Sequence, residues 1–177
     1  MPTMYKKILF VILILIIYSI TCNLIYKDCI NKTIISNKVF TIKKEKPIGR
    51  IIINKLNINK NLYSIDSKHN NVEENVTILD GSIEPNNKHN SIMFIAAHSG
   101  NSEISYFKDL DKLNNNDEII LIYKNIKYKY IVTNKWEQDK NGYININKDY
   151  LNQLVLTTCS PSNYKKQLII NSKLKES

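Results

Sequence analysis

A long apolar run near the N-terminus is the strongest constraint on this chain. Residues 8–25 read ILFVILILIIYSITCNLI, and about 18–20 apolar residues suffice to cross a bilayer core as a helix. The last third of the run is diluted by Ser19, Thr21 and Asn23. Lys6 and Lys7 precede it, so the positive-inside bias places the N-terminus in the cytoplasm and everything after about residue 27 outside. A cleaved signal peptide is the rival reading, but Ile20, Thr21 and Cys22 make a poor small-residue cleavage pattern. Lipoprotein processing at Cys22 lacks the small residue expected just before that cysteine. The expectation is an uncleaved single-pass anchor: residues 1–26 form a cytoplasmic tip and membrane helix, 27–46 a polar, Lys-rich juxtamembrane linker, and 47–177 an extracellular folded domain.

The length of 177 residues fits one globular domain plus such an appendage. After Pro47-Ile48-Gly49, short β-branched runs at 50–53 and 56–62 predict strands. Residues 72–79 fit a strand or a helical turn, and 84–90, with Pro85, a loop. The apolar run 91–97 has strand length and ends at His98. Phe107, Leu110 and Leu113 recur at three-residue spacing and predict a short helix. A buried strand is expected at 118–123. A half-buried one follows at 126–132, where Tyr128, Tyr130 and Val132 alternate with Lys127, Lys129 and Ile131. Residues 149–153 fit a helical turn, and 154–158 and 168–170 supply the last strands around a loop at 160–166. Many short strands with few helical patterns predict a mainly β fold, a small, mostly antiparallel barrel or sandwich.

The net charge of +9 comes from 25 basic and 16 acidic side chains. Such a surplus suits nucleic acid, anionic lipid or an anionic cell wall, and an outside location disfavours nucleic acid. The lysines are interleaved along candidate strands, as solvated strand faces also are. Arg50 is the only arginine.

Of three cysteines, Cys22 lies in the apolar run and Cys29 just beyond it, which leaves Cys159 alone in the folded part. A disulfide framework is therefore not expected. No Cys/His cluster has zinc spacing and no acidic cluster suggests a calcium site, so no cofactor or metal is expected. Cys159 ends an apolar strand, where scaffolds present reactive groups, although a buried structural thiol is the commoner fate of cysteine. His98 likewise ends a strand, whereas His69 and His89 lie in polar loop sequence. Together Cys159 and His98 suggest a thiol–imidazole pair. A free thiol with pKa near about 8.5 is mostly protonated at neutral pH. An imidazole can take that proton and later give it to a leaving amine. The developing oxyanion then needs a cation or N–H donors.

These residues resemble the sortase family. Pro47-Ile48-Gly49-Arg50-Ile51 is similar to the family's opening, and Gly81-Ser82-Ile83-Glu84-Pro85 followed by IMFIAAHSG (92–100) to its histidine motif. VLTTC (155–159) is similar to its TLxTC nucleophile motif. The resemblance covers roughly residues 47–174. It implies a closed, eight-stranded antiparallel or mixed β-barrel with a few short helices. It also implies transpeptidation at a Leu-Pro-x-Thr-Gly-like sorting signal. Cys159 would be the nucleophile and His98 the acid–base partner, with Thr158 helping to position substrate. The partners implied are the sorting-signal peptide of surface proteins and an amine of a cell-wall precursor, as in Gram-positive surface-protein anchoring.

One position departs from the family. Its third catalytic residue is an arginine on the strand after the cysteine, and the alignment puts Gln167 there, with Lys165 or Lys166 as nearby charges. The expectation is that Gln167 takes the role and that Lys166 assists at the substrate. The short interval between His98 and Cys159 excludes the class B insertion, no apolar tail of the class C kind follows Ile170, and the short Cys159–Gln167 loop looks closer to class D. The alternatives are a cysteine peptidase with water as acceptor and a non-catalytic module binding sorting signals or wall components.

Overall fold

The structure, a computed structural model, describes residues 2–39, 45–86, 90–146 and 152–175. It divides into two compact units, residues 1–45 and 46–177. The first unit holds one helix, α1 (Pro2–Val39), 38 residues long. Within it Ile12–Ile30 is long and apolar enough to cross a membrane, with a mean hydropathy of 1.6. An apolar helix of this kind fits a membrane anchor or a signal segment. Helix continues through the Lys-rich stretch read as linker, because lysine, isoleucine and asparagine tolerate helix when no Gly or Pro interrupts them. Residues 40–44 of that stretch lie outside the described residues.

The second unit is an eight-stranded, nearly closed mixed barrel. Its strands are β1 (Gly49–Ile53), β2 (Ile58–Leu62), β3 (Thr77–Ile78), β4 (Ser91–Ala96), β5 (Glu118–Tyr123), β6 (Ile126–Asp139), β7 (Asn152–Cys159) and β8 (Lys166–Leu174). Their order is β2-β1-β5-β6-β8-β7-β4-β3. All described pairings are antiparallel except β4 with β7.

Alternation explains the core. On β4, Met93 and Ile95 point inward. On β6, Tyr128, Tyr130 and Val132 do so, while Lys127 and Lys129 stay exposed. β7 is buried along nearly its whole length, as a strand covered on both faces must be. Phe107, Leu110 and Leu113 are fully buried around a 3-10 turn at Leu110–Lys112, so the predicted helix is a single tight turn. Gly49 is required by close approach, since a Cβ there would collide with the carbonyl oxygen of Ile122 on β5.

Three expectations change. The strand expected from residue 56 starts at Ile58, because Asn54–Leu56 form a 3-10 turn and Asn57 adopts φ 55, a left-handed value that asparagine tolerates. β6 runs on to Asp139 past an irregularity between Val132 and Asn134. Its polar second half is held as strand by pairing with β8 rather than by apolar alternation. Of the helical turn expected at 149–153, residues 149–151 lie outside the described residues, and Asn152 and Gln153 open β7. His89 also lies outside them.

Candidate active site

The one parallel pairing among the described strands sets the two strand ends that carry the chemical candidates side by side. Ala96 on β4 is the partner of Thr157 on β7. The Ala97 N–H then donates to the Thr157 carbonyl (3.4 Å), and the Thr158 hydroxyl donates to the Ala97 carbonyl at 2.7 Å. His98 and Cys159 therefore leave neighbouring strands at the same end, one residue beyond this lashing. Cys159 is half-buried, and the His98 side chain is 34% exposed. The loop carrying His98 is pinned from below, because its carbonyl accepts the N–H of fully buried Phe107 at 2.9 Å.

Two contacts absent from the sequence reading flank these residues. Nε2 of His98 lies 3.1 Å from Oε1 of Glu73. A carboxylate oxygen accepts, so this contact orients the ring with Nε2 as donor. On the other side, the ammonium of Lys140 donates to the Cys159 sulfur at 2.9 Å. Neither partner was legible. Glu73 belongs to a loop, and Lys140 follows the polar half of β6, where nothing distinguishes it from the other lysines.

Gln167 is the register partner of Cys159 across β7 and β8. Its Nε2 donates to the Tyr143 carbonyl at 3.0 Å, and its Oε1 lies 3.4 Å from the Thr157 hydroxyl. Thr158 is buried, and its hydroxyl proton is engaged by Ala97. Lys166 pairs with Asp139 in the β6–β8 ladder. Arg50 stands on β1, separated from β8 in the sheet order by β5 and β6.

The turn after the cysteine is held by one carboxylate. Glu137 on β6 accepts hydrogen bonds from the Ser160 hydroxyl (2.6 Å) and the Ser162 hydroxyl (3.1 Å). The Ser160 oxygen in turn accepts the N–H groups of Ser162 and Asn163 at 3.1 and 3.3 Å. The Ser160 hydrogen bond, helped by Ser162 and Lys166 against some desolvation, holds the Glu137 carboxyl below its usual value. A carboxyl depressed in the folded state stabilises it fully above the ordinary glutamate range near pH 4.3, and that contribution is lost as pH falls through the lowered value. Protection of the Ser162 and Asn163 amides from hydrogen exchange, corrected for intrinsic rates, should therefore fall below about pH 4. In Glu137→Ala it should already be low at neutral pH. Equal protection in the variant and the wild type would contradict this assignment.

With this geometry in place, the comparisons are specific. The family model for the sortase domain matches residues 51–175, well over half of the chain, so the protein belongs to the sortase family. Members of this family are generally cysteine transpeptidases. Sortase C1 from Streptococcus agalactiae is 25% identical with a TM-score of 0.65, over 77% of this chain and 72% of that one. Sortase A from Corynebacterium diphtheriae is 20% identical with a TM-score of 0.62, over 76% of this chain and 63% of that one. Streptococcus pneumoniae sortase C is 20% identical with a TM-score of 0.62, over 74% and 67%. The chain thus spans less than two thirds of the length of the Corynebacterium diphtheriae sortase A. No curated protein matches the sequence.

Proposed function

We propose that this chain is a membrane-anchored, single-pass extracellular transpeptidase with its N-terminus in the cytoplasm. It cleaves a Leu-Pro-x-Thr-Gly-like sorting signal through a thioester on Cys159 and passes the acyl group to an amine of a cell-wall precursor. The observation that carries this reading is the placement of Cys159 and His98 at the shared end of the parallel pair β4–β7, in a chain of this family. The Cys159 thiolate attacks the Thr carbonyl carbon; the new C–S bond forms and the π pair moves to oxygen. On collapse the C–N bond breaks, and His98 gives its proton to the departing amine. The acceptor amine then attacks the thioester carbonyl, its proton returns to His98, and Cys159 leaves as thiolate. The Gln167 amide carries two N–H groups; one is bound to Tyr143, and the second serves as a neutral donor to the substrate carbonyl. Thr158 acts through its backbone and by fixing Ala97, and Lys166 adds positive charge beside the substrate path. The short connection between Cys159 and Gln167 supports a class D-like subclass and housekeeping attachment rather than pilus assembly.

The test is incubation of the full chain in detergent with a panel of sorting peptides, with and without triglycine. Amine-ligated product together with a Cys159 acyl adduct is the expected result. Rapid hydrolysis with amine never incorporated would make the protein a peptidase. Binding without adduct or turnover would make it a non-catalytic module, a reading motivated by the glutamine at the family's arginine position.

A further inference from the structure

A neutral amide at position 167 leaves the site without the charge that an arginine would supply from β8, yet the thiol does have a cation beside it. We propose that Lys140 is the charge-bearing residue of this site, stabilising the Cys159 thiolate before attack and the oxyanion after it. The second half of this assignment rests on the transpeptidase reading; the first depends only on the thiol.

The placement is built rather than incidental. The Lys140 backbone N–H donates to the Lys165 carbonyl at 3.1 Å, extending the β6–β8 ladder by one bond. The chain then turns through Gly142, whose φ of +83 suits glycine. The Tyr143 N–H closes on Asn141 Oδ1 at 3.1 Å. Two glutamine side chains fasten this turn to the sheet, because both Gln138 from β6 and Gln167 from β8 donate to the Tyr143 carbonyl. Gln138 also accepts the Asn145 N–H at 3.1 Å. Gln167, standing at the arginine's place, thus braces the turn that delivers a lysine to the sulfur.

Other cations are less well placed. Lys165 contributes its carbonyl to the ladder, and the Lys166 charge acts on Glu137. Only Lys140 is within hydrogen-bond distance of the sulfur among the described residues. An ammonium on a flexible stem has three donors and no fixed fork. It can therefore follow the negative charge from sulfur to an oxygen two bonds away without losing its own proton. When the C–S bond forms, Lys140 keeps donating, now toward the oxyanion, and His98 remains the only group that transfers a proton.

The experiment uses the full chain in detergent, with Cys22 and Cys29 replaced by serine so that Cys159 is the only thiol. Iodoacetamide alkylation at pH 7 and sorting-peptide turnover are measured for the parent, Lys140→Met, Lys140→Arg and Lys165→Met. Lys140→Met should slow alkylation about tenfold and lower kcat/KM about 10²-fold, chiefly in kcat. Lys140→Arg should recover most of both, and Lys165→Met should change neither. Parent-like alkylation and turnover in Lys140→Met would overturn the assignment, as would an equal loss in Lys165→Met. If no protein of the set turned over peptide but the alkylation contrast held, the transpeptidase reading would fail while Lys140 kept its place beside the thiolate.

Discussion

Cys159→Ala should abolish both peptide turnover and formation of a covalent adduct, a loss of at least about 10⁴-fold in kcat. On the reading proposed above the sulfur carries the acyl group, and Cys159 is the one cysteine of the second unit. His98→Ala should cost nearly as much, because the leaving amine then departs without a proton donor. The informative measurement is the double variant. Residues that act as a unit lose activity once rather than twice, so Cys159→Ala/His98→Ala should be no worse than either alone. Substantial turnover in His98→Ala would remove the imidazole from the mechanism. The near-ultraviolet circular dichroism of both variants should match the wild type, because Cys159 is only half-buried and His98 is partly exposed.

Phe107→Ala should be the most damaging substitution away from the chemistry. Its ring is fully buried in the core cluster, and removing a buried phenyl ring costs about 3–5 kcal/mol through lost transfer energy and the cavity left behind. The same residue holds the His98 carbonyl through its N–H. That bond survives the substitution, but its anchorage in the core does not. Denaturant unfolding followed by tryptophan fluorescence should show the loss, with Phe107→Leu retaining most of the stability. Below the transition, Phe107→Ala should also lower kcat more than it raises KM, since a loosened loop misplaces the imidazole. A destabilisation under about 1 kcal/mol would mean that the surrounding side chains collapse into the cavity, contrary to the packing described.

The parts of this fold that were legible in the sequence are those that bury a periodic apolar face. The run before His98, the Tyr128, Tyr130 and Val132 alternation, and the buried trio at 107, 110 and 113 each carry their own signal. The second half of β6 carries none. Asn134 through Asp139, polar apart from Trp136, becomes strand through its ladder with β8, a long-range condition that no local window contains. The same holds for the parallel register of β4 on β7. Position explains the site in the same way. Cys159 and His98 follow apolar strands and were found as strand ends. Lys140 and Glu73 reach them from segments with no periodic pattern, and they are visible only in three dimensions. Gln167 is the register partner of the cysteine, but neither that pairing nor its bond to Tyr143 could be read from residue types.

The parallel pairing has a further consequence for when the thiol becomes dangerous. Residues of β4 and β7 lie far apart along the chain, and the segment between them contains the whole of β5 and β6. Closing so long a loop is entropically slow and comes late. A chain whose sheet has not closed therefore carries Cys159 without the Lys140 ammonium beside it. On the reading proposed above, the sulfur meets its cation only once the sheet has closed, so a copy that has lost that closure would carry an ordinary thiol.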